Sequence, residues 1–181
     1  VGILQFRHLQ GLPVFSVPAM EQSVLAAIVK SQLAVSALGD NGALIDATAL
    51  QIPGLLDDRF FHNGELGITW QNSQPIFRVW APTARSVNLL VYADGQTEQM
   101  ARVAMQENIT TGVWELAGDA TWNRQYYLYE VDVFVRHTGK VERNLVTDPY
   151  TLSASTDGKR SQIVNLNDAD LMPEGWQALG K

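Results

Sequence analysis

Phe77-Arg78-Val79-Trp80-Ala81-Pro82-Thr83-Ala84-Arg85-Ser86-Val87-Asn88-Leu89 governs how the rest of the chain is read. Residues 77–80 have the alternating pattern of a strand with one buried face. Pro82 has no amide donor and a fixed φ, so it ends that strand and turns the chain. Val87 and Leu89 then open a second strand. A strand, a tight turn and a strand begin an immunoglobulin-like sandwich.

The same pattern continues towards the C-terminus. Short strands are predicted at 66–70, 76–81, 86–92, 99–105, 112–117, 125–136, 140–146 and 162–166. Asp94-Gly95, Thr111-Gly112 and Thr138-Gly139 mark turns. Tyr127, Tyr129, Val131, Val133 and Val135 alternate with Glu130, Asp132 and Arg136, the period of a half-buried strand. Strands recurring at this spacing predict a mainly β fold.

Upstream the pattern changes. Leu12-Pro13-Val14-Phe15-Ser16-Val17-Pro18 suits an edge strand or an extended lead-in. Residues 19–30 predict a helix, with Val24, Leu25, Ile28 and Val29 on one face and Lys30 at its end. Segments 33–38 and 43–50 flank Asp40-Asn41-Gly42 and predict a hairpin. Pro53-Gly54 ends it, and Leu55-Leu56-Asp57-Asp58 opens a linker. The expected organisation is therefore an α+β segment over 1–57, a sandwich over 58–166 and an exit linker over 167–181. A start at Val1 and an end at Lys181 suggest a piece of a longer polypeptide.

Composition narrows the partners. The chain has 181 residues and 46% hydrophobic residues, enough for a proper core. It carries 13 basic and 19 acidic residues for a net charge of −6. The basic residues are scattered, which argues against nucleic acid and against an anionic membrane surface. No apolar run reaches the ~20 residues of a bilayer span. With no cysteine, disulfides and thiolate chemistry are excluded.

No catalytic constellation stands out. His8, His62 and His137 lack partners at metal-binding spacing. Glu130 and Asp132 share a strand face but read as a solvated outer surface rather than the carboxylate pair of a glycoside hydrolase. Asn165-Leu166-Asn167-Asp168-Ala169-Asp170 has the oxygens of half a calcium loop but lacks its glycine and terminal glutamate, so it reads as a capped turn. No catalytic or metal residue is assigned.

The tryptophans are the other candidates, because sugars pack their C–H faces on aromatic rings. Trp70, Trp80, Trp114, Trp122 and Trp176 are available. Trp114, on a short strand, and Trp122, in a loop, are the expected carbohydrate-binding residues. Trp80 reads as a core or domain-contact residue.

The motif around Trp80, with Gly112-Val113-Trp114, Tyr126–Val131 and Thr147-Asp148-Pro149-Tyr150, resembles carbohydrate-binding module family 48. Gln51–Asp58, Ser161–Leu166 and Pro173-Glu174-Gly175-Trp176 resemble type I pullulanases of glycoside hydrolase family 13. The resemblance implies the non-catalytic N-terminal part of an enzyme that hydrolyses α-1,6 branch points in pullulan, starch and dextrins. It implies a bacterial protein, secreted or at the cell surface. Catalytic carboxylates would lie in a barrel beyond Lys181. No cofactor is implied in this stretch, and calcium is admitted only for the parent enzyme.

Sugar-binding members of the module family use two tryptophans and a lysine. The matching regions here are 93–96, 141–144 and Leu128, where those residues are missing. The expected partner is therefore the barrel of the same chain, contacted through Trp80, Pro82, Asp148, Pro149 and Tyr150. An α-glucan-binding module and a generic protein-contact sandwich are the alternatives.

Overall fold

Alternation alone does not say which strands meet. In the computed structural model, which describes residues 11–96 and 98–175, they form two antiparallel sheets and a separate hairpin. The elements are α1 (Gln22–Ile28), β1 (Ala34–Leu38), β2 (Leu44–Ala49), α2 (Pro53–Arg59), β3 (Gly67–Gln71), β4 (Gln74–Trp80) and β5 (Ala84–Tyr92). They continue as β6 (Gln99–Ala104), β7 (Gln106–Asn108), β8 (Val113–Ala117), β9 (Tyr126–Val135), β10 (Lys140–Val146) and β11 (Ser161–Gln162).

One sheet has the order β10-β9-β5-β6, with β11 continuing along β9; the other is β3-β4-β8-β7. The stretch 77–89 crosses between them, β4 lying in one and β5 in the other. This is the expected sandwich. Phe77 and Val79 from β4, Trp114 from β8, Val87, Leu89 and Val91 from β5, and Tyr127 and Tyr129 from β9 share one core. Burying each such large side chain contributes about 1.5–3 kcal/mol. The rings of Phe77 and Tyr127 meet edge-on with centroids 5.2 Å apart, an arrangement that suits their quadrupoles.

Several elements differ from expectation. The helix predicted over 19–30 is only Gln22–Ile28, because Glu21 stays extended and Ala19 and Met20 offer no capping oxygen. Its buried face is Leu25, Ala26 and Val29, while Val24 is exposed. Lys30 lies past the helix and is ion-paired with Glu107 instead. The predicted linker at 55–58 is helix α2, with Pro53 in its first turn, where a missing amide costs nothing. Edge strand β7 was not expected, and the strand predicted at 162–166 is the two-residue β11. The β3–β4 turn places both Asn72 and Ser73 at positive φ, as a two-residue hairpin requires.

The α-helices join the sandwich through a second cluster of Leu25, Ala26, Val29 and Phe60, against which Trp80 packs. Polar ties reinforce it: Gln22 Nε2 donates to the Ile109 carbonyl and Arg85 Nε to that of Lys30. The β1–β2 hairpin is exposed on both faces.

Candidate functional site

Burial decides what each candidate residue can do. Trp114 is only 6% exposed, and its indole N–H donates to the Ala81 carbonyl at 3.0 Å. The Lys30 ammonium sits 5.4 Å from its ring centroid. Its faces belong to the core and are not offered to a sugar, contrary to expectation. A β strand puts alternate side chains inward, and Trp114, opposite Val79 of β4, is one of those.

Trp122 closes a short 3₁₀ turn at 120–122, capped by the Asp119 carboxylate. Two hydrogen bonds from Thr121 hold that carboxyl below its usual range. The Trp122 ring is half-buried against Phe77, with centroids 6.3 Å apart, and borders a shallow basin with Asn72 and Gln74. Gly118 makes room for it: a Cβ there would come within 2.9 Å of the indole. Trp70 also packs on the core, its N–H donating to the Val164 carbonyl at 3.3 Å.

The expected domain-contact residues divide. Trp80 donates its indole N–H to the Phe60 carbonyl at 2.9 Å and so contacts the helical segment of this chain. Pro82 is buried against Gly112 and is not a docking residue. Asp148, 2% exposed, accepts hydrogen bonds from the hydroxyls of Tyr127 and Tyr129 and from the Tyr150 amide. It holds the interior together and faces no partner. Pro149 and Tyr150 are exposed. Tyr150 and Trp80 meet around a groove of about 380 Å³ that Phe60, Phe61 and Leu66 complete. Trp122 lies beside the Gln74 end of β4 and Trp80 forms its other end, so these two build no common platform.

A more polar cleft opens where the sequence offered no aromatic signal. It measures about 840 Å³ and is lined by residues from the Asp94–Gln96 turn, by Tyr126 and by the 155–160 loop. Arg160 spans it, stacking 3.7 Å from the Tyr92 ring centroid and donating to the Asp94 carbonyl. Sequence reading missed this loop because its residues converge only through long-range pairing. An arginine flanked by turn residues carries no local signature.

The acidic candidates are already paired. Glu130 is not a solvated surface residue: it is 8% exposed and accepts from Arg102 at 2.7 Å and from Asn88. Asp132 accepts two hydrogen bonds from Arg143, and these hold its carboxyl below the usual range. In the 165–170 turn, Arg124 binds both Asp168 and Asp170, so a guanidinium occupies the place between those carboxylates. Among the described residues, no three His, Asp or Glu side chains gather as a metal site. His8 and Trp176 lie outside the described residues.

The order of these pieces has close counterparts. Residues 3–58 match the pullulanase N2 domain, and residues 65–151 match carbohydrate-binding module 48, the isoamylase N-terminal domain. The chain is homologous to the N-terminal region of pullulanases. It is 36% identical over 98% of its length to the chloroplastic pullulanase 1 of Arabidopsis thaliana, and 32% identical over 97% to a pullulanase of Klebsiella pneumoniae. It spans 18% and 16% of those two proteins. The crystal structure of Klebsiella pneumoniae pullulanase complexed with maltotriose superimposes with a TM-score of 0.89 and 33% identity, over 98% of this chain and 17% of that one.

In these terms, the N2 segment supplies α1, the hairpin and α2, and the family 48 module supplies the sandwich. Trp80 of the module motif seats the N2 helices. A chloroplastic relative means that homology alone does not assign a bacterial, secreted location.

Proposed function

We propose that this chain is the supporting, non-catalytic part of an enzyme that hydrolyses α-1,6 branch points in pullulan, starch and dextrins. In this reading residues 1–57 and 58–166 form two units, and 167–181 lead on to a catalytic barrel. The observation that carries it is the use made of the aromatic and acidic residues. Trp114, Glu130, Asp132 and Asp148 are all engaged in packing or pairing within the molecule.

Two surfaces support contact with the remainder of a longer chain. The β1–β2 hairpin presents Val35, Leu38, Leu44 and Ile45 to solvent, Ile45 being 71% exposed. A two-stranded hairpin is marginal alone in water, so further chain has reason to cover it. The Trp80–Tyr150 groove offers Phe61, also exposed, as a second contact. This reading assigns no cofactor to this stretch and admits calcium only for the parent enzyme. Export to a bacterial surface completes this reading; fractionation of the native host would test it.

The discriminating experiment measures pullulan hydrolysis by the 181-residue chain and by the full parent chain with and without residues 1–166. The isolated chain should be inactive. Deletion should leave a barrel that hydrolyses pullulan but unfolds at lower temperature. Hydrolysis by the isolated chain would overturn the proposal. The second reading, a glucan-binding module, is favoured by the Asp94–Arg160 cleft and predicts retardation of the chain in gels containing amylopectin.

A further inference from the structure

The sequence contains two Asn-Gly pairs, Asn41-Gly42 and Asn63-Gly64. Such a pair is chemically labile wherever the glycine amide can reach the asparagine carboxamide, because glycine has no Cβ to keep the two apart. By sequence the pairs are equivalent. Their surroundings in the fold are not.

Asn41-Gly42 is locked in the β1–β2 turn. The Gly42 amide donates to the Gly39 carbonyl at 2.8 Å, and Asn41 Oδ1 accepts from the Ala43 amide at 3.1 Å. The Gly39 amide closes the turn by donating to the Ala43 carbonyl at 2.9 Å. Attack there first requires the turn to open. Asn63-Gly64 lies in the connector from α2 to β3, outside any helix or strand, and both residues are exposed. Among the described residues, neither the Gly64 amide nor the Asn63 carboxamide has a hydrogen-bond partner. Packing also selects glycine here, since a Cβ at 64 would come within 2.7 Å of His62 Nε2. No hydrogen bond of the fold has to break before the Gly64 amide turns onto the Asn63 side chain.

We propose that Asn63 is a spontaneous modification site, deamidating through a succinimide formed with Gly64. The Gly64 nitrogen bonds to Asn63 Cγ while the Cγ–Nδ2 bond breaks. Ammonia leaves and carries off the proton of the Gly64 amide. Water then opens the ring at either carbonyl carbon, giving aspartate or isoaspartate. An amide and a water become an acid and ammonia, with no other reactant. The product adds a negative charge beside Glu65 to a chain already at −6. Isoaspartate also lengthens the main chain by one carbon, just past Phe60, whose carbonyl holds the Trp80 indole. The change therefore loosens the N2 helices on the sandwich. The site goes beyond the supporting role given above and does not depend on it.

The test keeps the folded 181-residue chain in mildly alkaline buffer and follows both asparagines by peptide mass mapping. The Asn63 peptide should gain the mass of the acid about tenfold faster than the Asn41 peptide, the delay that opening a hydrogen-bonded turn imposes. Chain unfolded in urea supplies the reference rates without the turn. Asn63→Gln would need a larger, slower-closing ring; it should stop conversion at 63 and leave the melting temperature unchanged. Aged chain carrying isoaspartate should be cut faster than fresh chain between residues 20 and 62, and the Asn63→Gln chain aged alongside should not. Asn41 converting first, or no conversion at 63 in the folded chain, would overturn the site. Equal cleavage of aged and fresh chain would overturn the loosening. Failure here leaves the supporting role standing, since that is read from pullulan hydrolysis and the melting temperature of the parent chain.

Discussion

Tyr127 donates its hydroxyl to Asp148 Oδ2 at 2.7 Å, and this bond pins the turn after β10 to the start of β9. Tyr129 donates to the same oxygen at 3.1 Å. The Asp148 amide in turn donates to Ser161 at the start of β11. One carboxylate thus serves two hydroxyls and a backbone amide inside the sandwich. Replacing it strands those donors. Asp148→Ala should destabilise the chain by about 2–4 kcal/mol, the scale for orphaned buried polar groups. Urea unfolding followed by fluorescence measures it; a loss under 0.5 kcal/mol would remove the central role given to this carboxylate.

The same geometry sets a response to alkali. Burial, then the Asp148 charge, pushes the phenols of Tyr127 and Tyr129 well above the ordinary tyrosine range. In the unfolded chain both lose protons near pH 10, whereas in the folded chain they keep them. Stability is therefore fully present below about pH 10 and falls as pH rises above it. Tyrosinate absorbance from this pair should emerge only together with loss of the β-sheet circular dichroism signal. Ionisation of all five tyrosines ahead of unfolding would contradict it.

Gly112 has φ of +68°, and a Cβ there would lie 2.5 Å from the Pro82 Cβ. Gly112→Ala should cost about 2–4 kcal/mol, from strained backbone and overpacking together. Pro82→Gly, which removes that Cβ, should restore part of the overpacking loss in a double-mutant cycle. Thermal unfolding of the three variants gives the comparison.

Trp80 is the hinge pin between N2 segment and module. Trp80→Phe keeps most of the ring but deletes the hydrogen bond to the Phe60 carbonyl, costing about 1 kcal/mol. Limited proteolysis should then cut faster between residues 20 and 62, leaving the sandwich intact. Unchanged cleavage kinetics would show that the helices hold by apolar contact alone.

Trp114→Ala separates packing from recognition. As a core truncation it should cost about 3–5 kcal/mol. Any loss of glucan retention should follow the loss of folded protein, not precede it. A variant that stays folded but loses retention would return Trp114 to a binding role.

Much of the sandwich was legible because strand alternation is local. The runs at 77–80 and 126–135 each carry their own period-two signal, 86–92 is a short apolar run between turns, and β10 falls at its predicted bounds. The helix ends were less legible: a start at Gln22 follows from the lack of a capping oxygen upstream, which periodicity does not register. Helix α2 was read as a linker because Pro53-Gly54 signals a stop, although proline is equally suited to a first turn. The site was least legible. Sequence could single out tryptophans as sugar-binding residues but not tell an inward Trp114 from an outward one, since a strand has two faces and one residue does not say which is covered.

From its sequence alone, this chain had a mainly β fold, the order of an α+β segment before a sandwich, and its kinship with debranching enzymes. Those follow from residue types at short spacing. Tertiary structure decided which polar groups meet: Asp148 with two tyrosines, Arg124 with two aspartates, Glu107 with Lys30. These contacts join residues tens of positions apart, and only the pairing of the strands brings them within hydrogen-bonding reach.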